Sequence, residues 1–337
     1  MIPFFESNTA NEAWLKAYDM IIADGDTVPI GRGGETKELL HANFHICDPR
    51  QRWILSREPA LNPAFAVAEV FWILAGENDA SFLNYWNPIL PQFSGEGEKY
   101  HGAYGYRLRK QFGFDQLERA YNILKNNPSS RQVVLQIWDP SVDMPTKEGS
   151  PRDADIPCNL CAIPKIRKNK LEWLQIMRSN DLYLGVPHNF IQFSTIQEVL
   201  AGWLGLELGS YHHVSDSLHI YEGDLHKLCA NRELNIPLNT DNLSLDKENF
   251  EIQLGRITAA LNRFTSPTLN KDTFRSIIHD ESILVVYKNL LLVAAADCAR
   301  RRCWRNEMEE ALLLCQNSVL KMAFKRWNDR YPLVSHG

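Results

Sequence analysis

The sequence predicts an α+β (mixed α/β) fold that ends in a helical extension. Residues 132–138 read QVVLQIW, a run of β-branched and aromatic side chains that favours a strand. Apolar segments of helical length, such as residues 64–75 and 189–202, lie on both sides of this run. Beyond residue 246 the pattern is helical and lacks strand signals, so strands and helices are partly segregated along the chain.

Local periodicity and turn signals predict the other elements. Helices are expected over residues 11–23 and 116–125, the second of which stops before Asn127-Pro128. The strands and connections expected beside them are a hairpin over 161–177, a strand over 211–221, and loops over 24–36 and 87–101.

We divide the chain into a mixed domain, residues 1–245, and a helical C-terminal extension, residues 246–337. Within the extension, helical patterns over 250–261 and 272–327 are joined by residues 262–270. A length of 337 residues accommodates one large domain plus such an appendage.

Composition narrows the class of protein. A net charge of −5 argues against a general nucleic-acid binder, which is usually basic. The sequence contains no run of 18 apolar residues, so we expect no membrane span. The N-terminus lacks the features of a secretion signal, and seven cysteines at irregular spacing do not form a disulfide framework, so we expect a reduced, cytoplasmic protein. Cys158 and Cys161 form a CxxC pair with no second pair, and we expect no metal site.

Cys158 is the candidate nucleophile. It follows Pro157 and precedes an apolar strand, where a cysteine is most often a small buried hydrophobe. A reactive thiolate needs positive charge beside it. Arg178 ends the next strand of the predicted hairpin and could lie close across the ladder, whereas Arg131 and Arg32 are further candidates.

These arginines also suggest an anion site. Arg32 lies among glycines, Arg131 follows Ser130, and Arg178 precedes Ser179. Isolated arginines at strand ends are usually solvated, but several beside serines and glycines favour two-point binding of phosphate.

Four further residues carry groups suited to a nucleotide. The Asn189 carboxamide could read a cis-amide edge such as that of uracil, although Asn at this point is also a common helix N-cap. His219 and Tyr221 alternate on a predicted strand and point to one side, where they are structural or hold sugar hydroxyls. Glu69 lies inside an apolar helix, where a raised pKa would let it relay protons.

In this order the residues resemble the thymidylate synthase family over about residues 11–235. The motifs that carry the resemblance are Glu69-Val70-Phe71-Trp72, Tyr104-Gly105, Ser130-Arg131, Pro157-Cys158, Arg178-Ser179-Asn180-Asp181, Gly185-Val186-Pro187-His188-Asn189 and His219-Ile220-Tyr221.

The resemblance implies a thymidylate synthase-like catalytic domain over residues 1–245, with a large mixed sheet packed with helices and a homodimer formed through the sheets. It implies a pyrimidine nucleoside monophosphate as substrate and 5,10-methylenetetrahydrofolate as co-substrate. By analogy Cys158 attacks C6 of the base, Tyr104 helps to move the C5 proton, and Glu69 organises water and proton transfer. The nucleotide-binding residues implied are Arg32, Arg178 and Ser179 on the phosphate, Arg131 from the partner subunit, Asn189 on the base, and His219 and Tyr221 on the sugar. The folate-binding residues implied are Asp181, Gly185 and, as the nearest candidate for a folate-facing tryptophan, Trp86.

The chain departs from the family pattern around the same site. Gln132 replaces a second arginine, Asn159 replaces a histidine after the cysteine, and His188 replaces an aromatic residue before the asparagine. The last residues, Leu333-Val334-Ser335-His336-Gly337, do not resemble the short apolar tail that seals the cofactor site in the family, so we expect no such seal from them.

These departures leave the product open between methylation of dUMP to dTMP and hydroxymethylation of dUMP, dCMP or CMP, because a methylase must exclude water from the carbon at which a hydroxymethylase must admit it. Asn189 favours uracil, with cytosine open, and ribose is not distinguished from deoxyribose. An alternative from another class is a nucleotide sensor that has lost turnover.

Overall fold

A computed structural model describes residues 2–28 and 34–331 and has one large mixed sheet packed against helices, as predicted. The strands are β1 (Phe4–Ser7), β2 (Asp26–Val28), β3 (Thr36–Ile46), β4 (Arg57–Glu58), β5 (Leu135–Gln136), β6 (Asn159–Arg167), β7 (Lys170–Asp181), β8 (Glu207–Tyr221) and β9 (Cys229–Ala230). The helices are α1 (Ala10–Asp24), α2 (Pro63–Leu74), α3 (Ala80–Trp86), α4 (Pro91–Ser94), α5 (Tyr104–Tyr106), α6 (Gln116–Asn126), α7 (Pro140–Asp143), α8 (Gly185–Leu204), α9 (Glu222–Leu225), α10 (Lys247–Thr265), α11 (Lys271–Ile278), α12 (Val285–Arg301), α13 (Arg305–Leu314) and α14 (Ser318–Asn328).

The large sheet has the strand order β1-β3-β8-β7-β6-β5, and β2 adds to β3. The predicted hairpin is β6–β7, which turns at Lys168 and Asn169, both with positive φ. The next pair, β7–β8, is parallel, so the chain must cross between these strands, and α8 makes that crossover. The end of β7 and the start of α8 therefore lie side by side.

Helix α8 covers one face of the sheet. Its Phe190 packs edge-on against Phe44 of β3 and Tyr211 of β8, with ring centroids 5.2 and 6.0 Å apart. Behind α8 lies α2, which is buried on nearly all sides because α8 and the C-terminal helices α10, α12 and α14 all contact it. This position explains why α2 is apolar all round apart from Glu69.

The C-terminal helices share the core of the mixed domain. Leu291 and Leu292 of α12 are fully buried and belong to the same hydrophobic cluster as Phe71 of α2. Asp246 caps α10 by accepting the Asn249 N–H at 3.0 Å, so a helix does begin where the sequence pattern changes. The division into residues 1–245 and 246–337 remains a prediction, and the shared core favours one cooperative unit.

Several sequence-based expectations differ from the structure. The loop expected over 24–36 contains β2, and the helical pattern over 272–327 is divided among α11 to α14. Of residues 132–138, only Leu135–Gln136 form a strand, because this segment pairs with β6 at the sheet edge through just two residues. The expected loop over 87–101 contains the short helix Pro91–Ser94. Asn189 is not a helix N-cap, since α8 already begins at Gly185 and Asn189 lies inside it.

The other face of the sheet keeps apolar side chains partly exposed. Ile163 pairs with Leu174, and Ile176 pairs with Val214, so these side chains form adjacent rows across β6, β7 and β8. All four are only partly buried. Separately, among residues 2–28 and 34–331, no helix combines the length and the apolarity needed to cross a membrane.

Candidate active site

The candidate site lies where five segments meet. Cys158 immediately precedes β6, and Asn189 is in the second turn of α8. Arg178 lies within β7, which continues to Asp181 and so extends past the strand end expected at Arg178. Glu69 projects from α2, and Tyr104 starts α5. Residues from distant parts of the sequence thus converge because the hairpin, the crossover helix and α2 share one edge of the fold.

Cys158 and Arg178 lie together, as the hairpin ladder predicts. The Arg178 backbone N–H donates to the Cys158 carbonyl at 2.9 Å, and its Nη2 lies 3.8 Å from the Cys158 sulfur. The guanidinium is held by the carbonyls of Pro157 at 3.0 Å and Ile156 at 3.2 Å, and it stacks over Trp138 at 5.4 Å. A fixed cation beside a partly exposed sulfur favours the thiolate.

Tyr104 faces the same sulfur. Burial raises the pKa of Tyr104 well above its usual range, and the charges of Cys158 and Asp155 raise it further. Glu69 acts on Tyr104 in the same direction, whereas Arg178 opposes them. The phenol therefore stays protonated at neutral pH and can hold a hydrogen bond near the reacting sulfur.

Glu69 meets His188, the residue that departs from the family pattern. The His188 Nδ1 and the Glu69 Oε2 are 3.3 Å apart without hydrogen-bond alignment, and each side chain is 17% exposed. The His188 ring also packs edge-on against Phe65 at 5.0 Å. The facing Nδ1 and Oε2 atoms are closed to solvent, whereas other parts of both side chains stay partly exposed, and a water molecule bonded there can be polarised by the pair.

The Asn189 amide is oriented by a residue that the motif analysis did not single out. Its Nδ2 donates to the Oδ1 of Asn180 at 2.9 Å, and Asn180 is buried. Asn180 in turn donates to His213 Nε2 at 3.0 Å and to the Ser215 hydroxyl at 3.1 Å. Asn189, the candidate for reading the base, is thus the first residue of a buried chain of hydrogen-bonded side chains.

Asp181 makes the turn between β7 and α8. Its carboxylate accepts the N–H groups of Tyr183 at 2.6 Å and Leu184 at 3.2 Å, and this local turn ends the strand. Burial raises the pKa of Asp181, and the nearby His219 partly offsets that shift. Gly185 follows at the helix start. A carboxylate has acceptor capacity beyond these two bonds, so a partly buried Asp181 can accept a further N–H from a ligand.

His219 and Tyr221 lie on the same side of β8, as alternation predicts. Their rings meet edge-on with centroids 5.3 Å apart, and His219 Nδ1 is 3.4 Å from the Ser217 carbonyl. Ser179 pairs with Ser217 across β7 and β8, which brings the candidate phosphate and sugar contacts to neighbouring strands.

Three candidates remain: Arg131, Arg32 and Trp86. Arg131 is exposed on the loop before β5. Arg32 lies outside the described residues. Trp86 is fully buried beneath Tyr85 and Phe82, and this burial argues against the predicted folate contact, since its ring offers no surface to a ligand.

Sequence reasoning passed over Asn180, His213 and Asp155. Alternation along β8 could have placed Tyr211, His213 and Ser215 on one buried face, but nothing in the sequence joins that face to Asn180. Asp155 accepts the Gly102 N–H at 2.7 Å and tethers the loop before Cys158 to the segment that carries Tyr104.

The fold and this site define a family. Residues 12–260 match the family model described as thymidylate synthase, which covers most of the chain. The chain therefore belongs to the thymidylate synthase family.

Relatives include two phage proteins with a narrower description. The chain is 36% identical over 231 residues to the deoxyuridylate hydroxymethyltransferase of Bacillus phage SP01, covering 65% of this chain and 59% of that protein. It is 36% identical over 188 residues to the protein of the same description from Pseudomonas phage M6, and the match covers 55% of this chain and 52% of that protein. It is 30% identical over 162 residues to the thymidylate synthase of Clostridium beijerinckii, and the match covers 48% of this chain and 58% of that protein. The chain thus spans a little more than half the length of these relatives.

Proposed function

We propose that the protein transfers a one-carbon unit to C5 of a pyrimidine nucleoside monophosphate through a covalent bond between Cys158 and C6, with dUMP as the substrate. The observation that carries this proposal is the Cys158 sulfur beside a guanidinium held in place by two carbonyls. The named activities of the family relatives support a transferase and give no support to a sensor without turnover.

The chemistry begins at the sulfur. Addition of the Cys158 thiolate to C6 moves electron density to C5, which then becomes the nucleophile. Bound 5,10-methylenetetrahydrofolate supplies the carbon, at the oxidation level of formaldehyde. In this proposal the Glu69 carboxylate takes up the C5 proton, and the protonated Tyr104, which interacts electrostatically with Glu69 and Cys158, offers a hydrogen bond beside them. Departure of the sulfur from C6 then restores the C5–C6 double bond and frees Cys158.

We favour the hydroxymethyl product. After the carbon has been delivered, loss of the C5 proton breaks the bond between that carbon and the folate nitrogen and leaves an exocyclic methylene on C5. This methylene takes either hydride from the reduced folate, giving methyl, or water, giving hydroxymethyl. The Glu69–His188 pair, with its 3.3 Å separation and narrow exposure, supports delivery of water: oxygen bonds to the methylene, and a proton passes to the pair. The phage relatives named as deoxyuridylate hydroxymethyltransferases favour the same outcome.

Methylation of dUMP is the second candidate, favoured by the relative from Clostridium beijerinckii. The two reactions differ in their co-products, because hydride transfer oxidises the folate to dihydrofolate whereas water addition leaves it reduced. Mass spectrometry of the nucleotide, together with the absorbance of dihydrofolate, separates them. We expect one extra oxygen in the product and no dihydrofolate; a methyl product with equal dihydrofolate would contradict the hydroxymethyl assignment.

Replacing His188 by phenylalanine tests the role of the pair in water delivery. We expect hydroxymethyl formation to fall by about 100-fold, the lower range for loss of a positioned acid–base group. Exchange of the C5 hydrogen should fall much less, because Cys158 and Tyr104 are untouched. Equal losses in both assays would instead mean that His188 only supports the site structurally.

We also propose a homodimer formed through the partly exposed sheet face, with Arg131 completing the phosphate site of the partner subunit. The apolar rows of β6, β7 and β8 and the exposure of Arg131 support this arrangement.

Mixing two inactive variants tests it, one Cys158→Ala and the other Arg131→Ala. If each site takes its cysteine and Arg131 from different chains, half of the reassociated dimers carry one intact site, and about a quarter of the activity should return. If Arg131 serves its own chain, no site is repaired, and the mixture stays inactive.

A further inference from the structure

A buried polar chain behind Asn189 has a fixed hydrogen-bond direction. Four side chains follow one another: Asn189, Asn180, His213 and Tyr211, with Tyr211 Oη 2.9 Å from His213 Nδ1. The last three are buried, and the rings of Phe44 and Phe190 pack edge-on against His213 at 6.0 and 5.3 Å. Groups so enclosed must satisfy one another, since water cannot replace a missing partner.

The direction is set at His213. Burial lowers the pKa of His213 to about 3, so the ring is neutral at pH 7 and carries one N–H. Its Nε2 faces the Asn180 amide nitrogen, which can only donate, so Nε2 accepts and the proton lies on Nδ1 towards Tyr211. The Asn180 nitrogen bonds to both His213 and Ser215, and these two contacts hold the amide in this orientation.

The Asn180 carbonyl oxygen must then face Asn189. It accepts the Asn189 Nδ2 at 2.9 Å, which turns the carbonyl oxygen of Asn189 away from Asn180. Gly185 makes room for this contact, because a Cβ at that position would lie 2.6 Å from the Asn180 oxygen. One amide hydrogen and the carbonyl oxygen of Asn189 remain for a ligand.

The remaining edge of Asn189 distinguishes the two pyrimidines. Uracil presents an N3–H donor beside a carbonyl acceptor, whereas cytosine presents an N3 acceptor beside an amino donor. An amide turned by half a rotation offers the reverse order of donor and acceptor. Base choice at Asn189 therefore depends on what holds the amide in one of its two orientations.

We propose that Asn180, held by His213 and Tyr211, is a positioning residue that locks Asn189 in the orientation that selects uracil over cytosine. This inference rests on the proposed use of a pyrimidine nucleotide. Asn180 touches no substrate in this account and acts only through Asn189.

Two substitutions at Asn180 separate positioning from packing. Asn180→Leu keeps a side chain of similar shape and removes all three hydrogen bonds, to Asn189, His213 and Ser215. Asn180→Asp keeps an acceptor towards Asn189, and neutral His213 can turn its N–H to the second carboxylate oxygen. Dissociation constants for dUMP and dCMP, measured by calorimetry on each full-length variant, give the base preference without requiring turnover.

We expect the unaltered chain to prefer dUMP over dCMP by on the order of 30-fold, the discrimination of one two-point amide contact. In Asn180→Leu the preference should fall below about threefold, whereas Asn180→Asp should retain most of it. A Leu variant with native near-ultraviolet circular dichroism and an unchanged preference would overturn the proposal, as would an unaltered chain that prefers dCMP.

A measurement on the unaltered protein covers the case in which these variants fail to fold. Nitrogen-15 NMR of histidine-labelled protein should show His213 as the neutral tautomer with its proton on Nδ1. A proton on Nε2 would reverse the direction of the chain and overturn the proposal. If no pyrimidine nucleotide shows C5 transfer although dUMP binds with the expected preference, the proposed function fails and the positioning role stands.

Discussion

Replacing Cys158 by alanine is expected to abolish both product formation and exchange of the C5 hydrogen of dUMP with solvent. Without the sulfur, C6 receives no nucleophile and C5 never gains the electron density that loosens its proton. The expected loss is at least about 10⁴-fold, comparable to removal of other covalent nucleophiles. Release of tritium from C5-labelled dUMP into water measures the exchange directly.

Cys161 provides the matched control. It lies three residues away on β6 and is partly buried, and burial raises the pKa of its thiol, so it stays protonated and unreactive. Cys161→Ala should keep the rate of C5 hydrogen exchange within about twofold of that of the unaltered protein. A thiol that burial keeps protonated, with no cation beside it, is a poor nucleophile. Equal exchange in Cys158→Ala and Cys161→Ala would remove the basis of the proposed mechanism.

Replacing Glu69 by glutamine should slow product formation by about 10²–10⁴-fold, the range for loss of a positioned proton-transfer group. Glutamine has the same size and keeps the side chain in α2, so the surrounding apolar packing is preserved. It cannot take up a proton, and its amide lacks the negative charge that we propose polarises water beside His188. Binding of dUMP should change little, because Glu69 is not proposed to contact the nucleotide.

The comparison that isolates the carboxylate uses Glu77, an exposed residue just after α2 that pairs with Lys110 at 3.1 Å. Glu77→Gln should leave the rate unchanged, because exposed ion pairs contribute little. If Glu69→Gln keeps its rate and the pH dependence of the unaltered protein, then Glu69 has no part in proton transfer.

Local chemistry explains which parts of the fold could be predicted. The hairpin β6–β7 has alternating strands around Lys168-Asn169, and its ladder places Arg178 beside Cys158. The helix that carries Glu69 could also be predicted from the sequence, because its other residues form an apolar segment of helical length. In each case the signal and its consequence lie within one element or one pair of adjacent strands.

The remaining parts depend on contacts between distant segments. The start of α8 was misplaced at Asn189 because the turn that begins the helix is made by Asp181, through bonds that leave no periodic pattern. The chain from Asn180 to His213 joins residues 33 positions apart on parallel strands. Trp86 is buried by packing that the loop-like sequence around it did not indicate.

The most direct test of the covalent mechanism is the intact mass of the protein after incubation with 5-fluoro-dUMP and methylenetetrahydrofolate. Fluorine at C5 cannot leave as a proton, so a C6–sulfur bond, once made, should persist. We predict a stable adduct that contains both the nucleotide and the folate, with peptide mapping assigning it to Cys158. An unmodified protein that still turns over dUMP, or an adduct on another cysteine such as Cys161, would contradict the account.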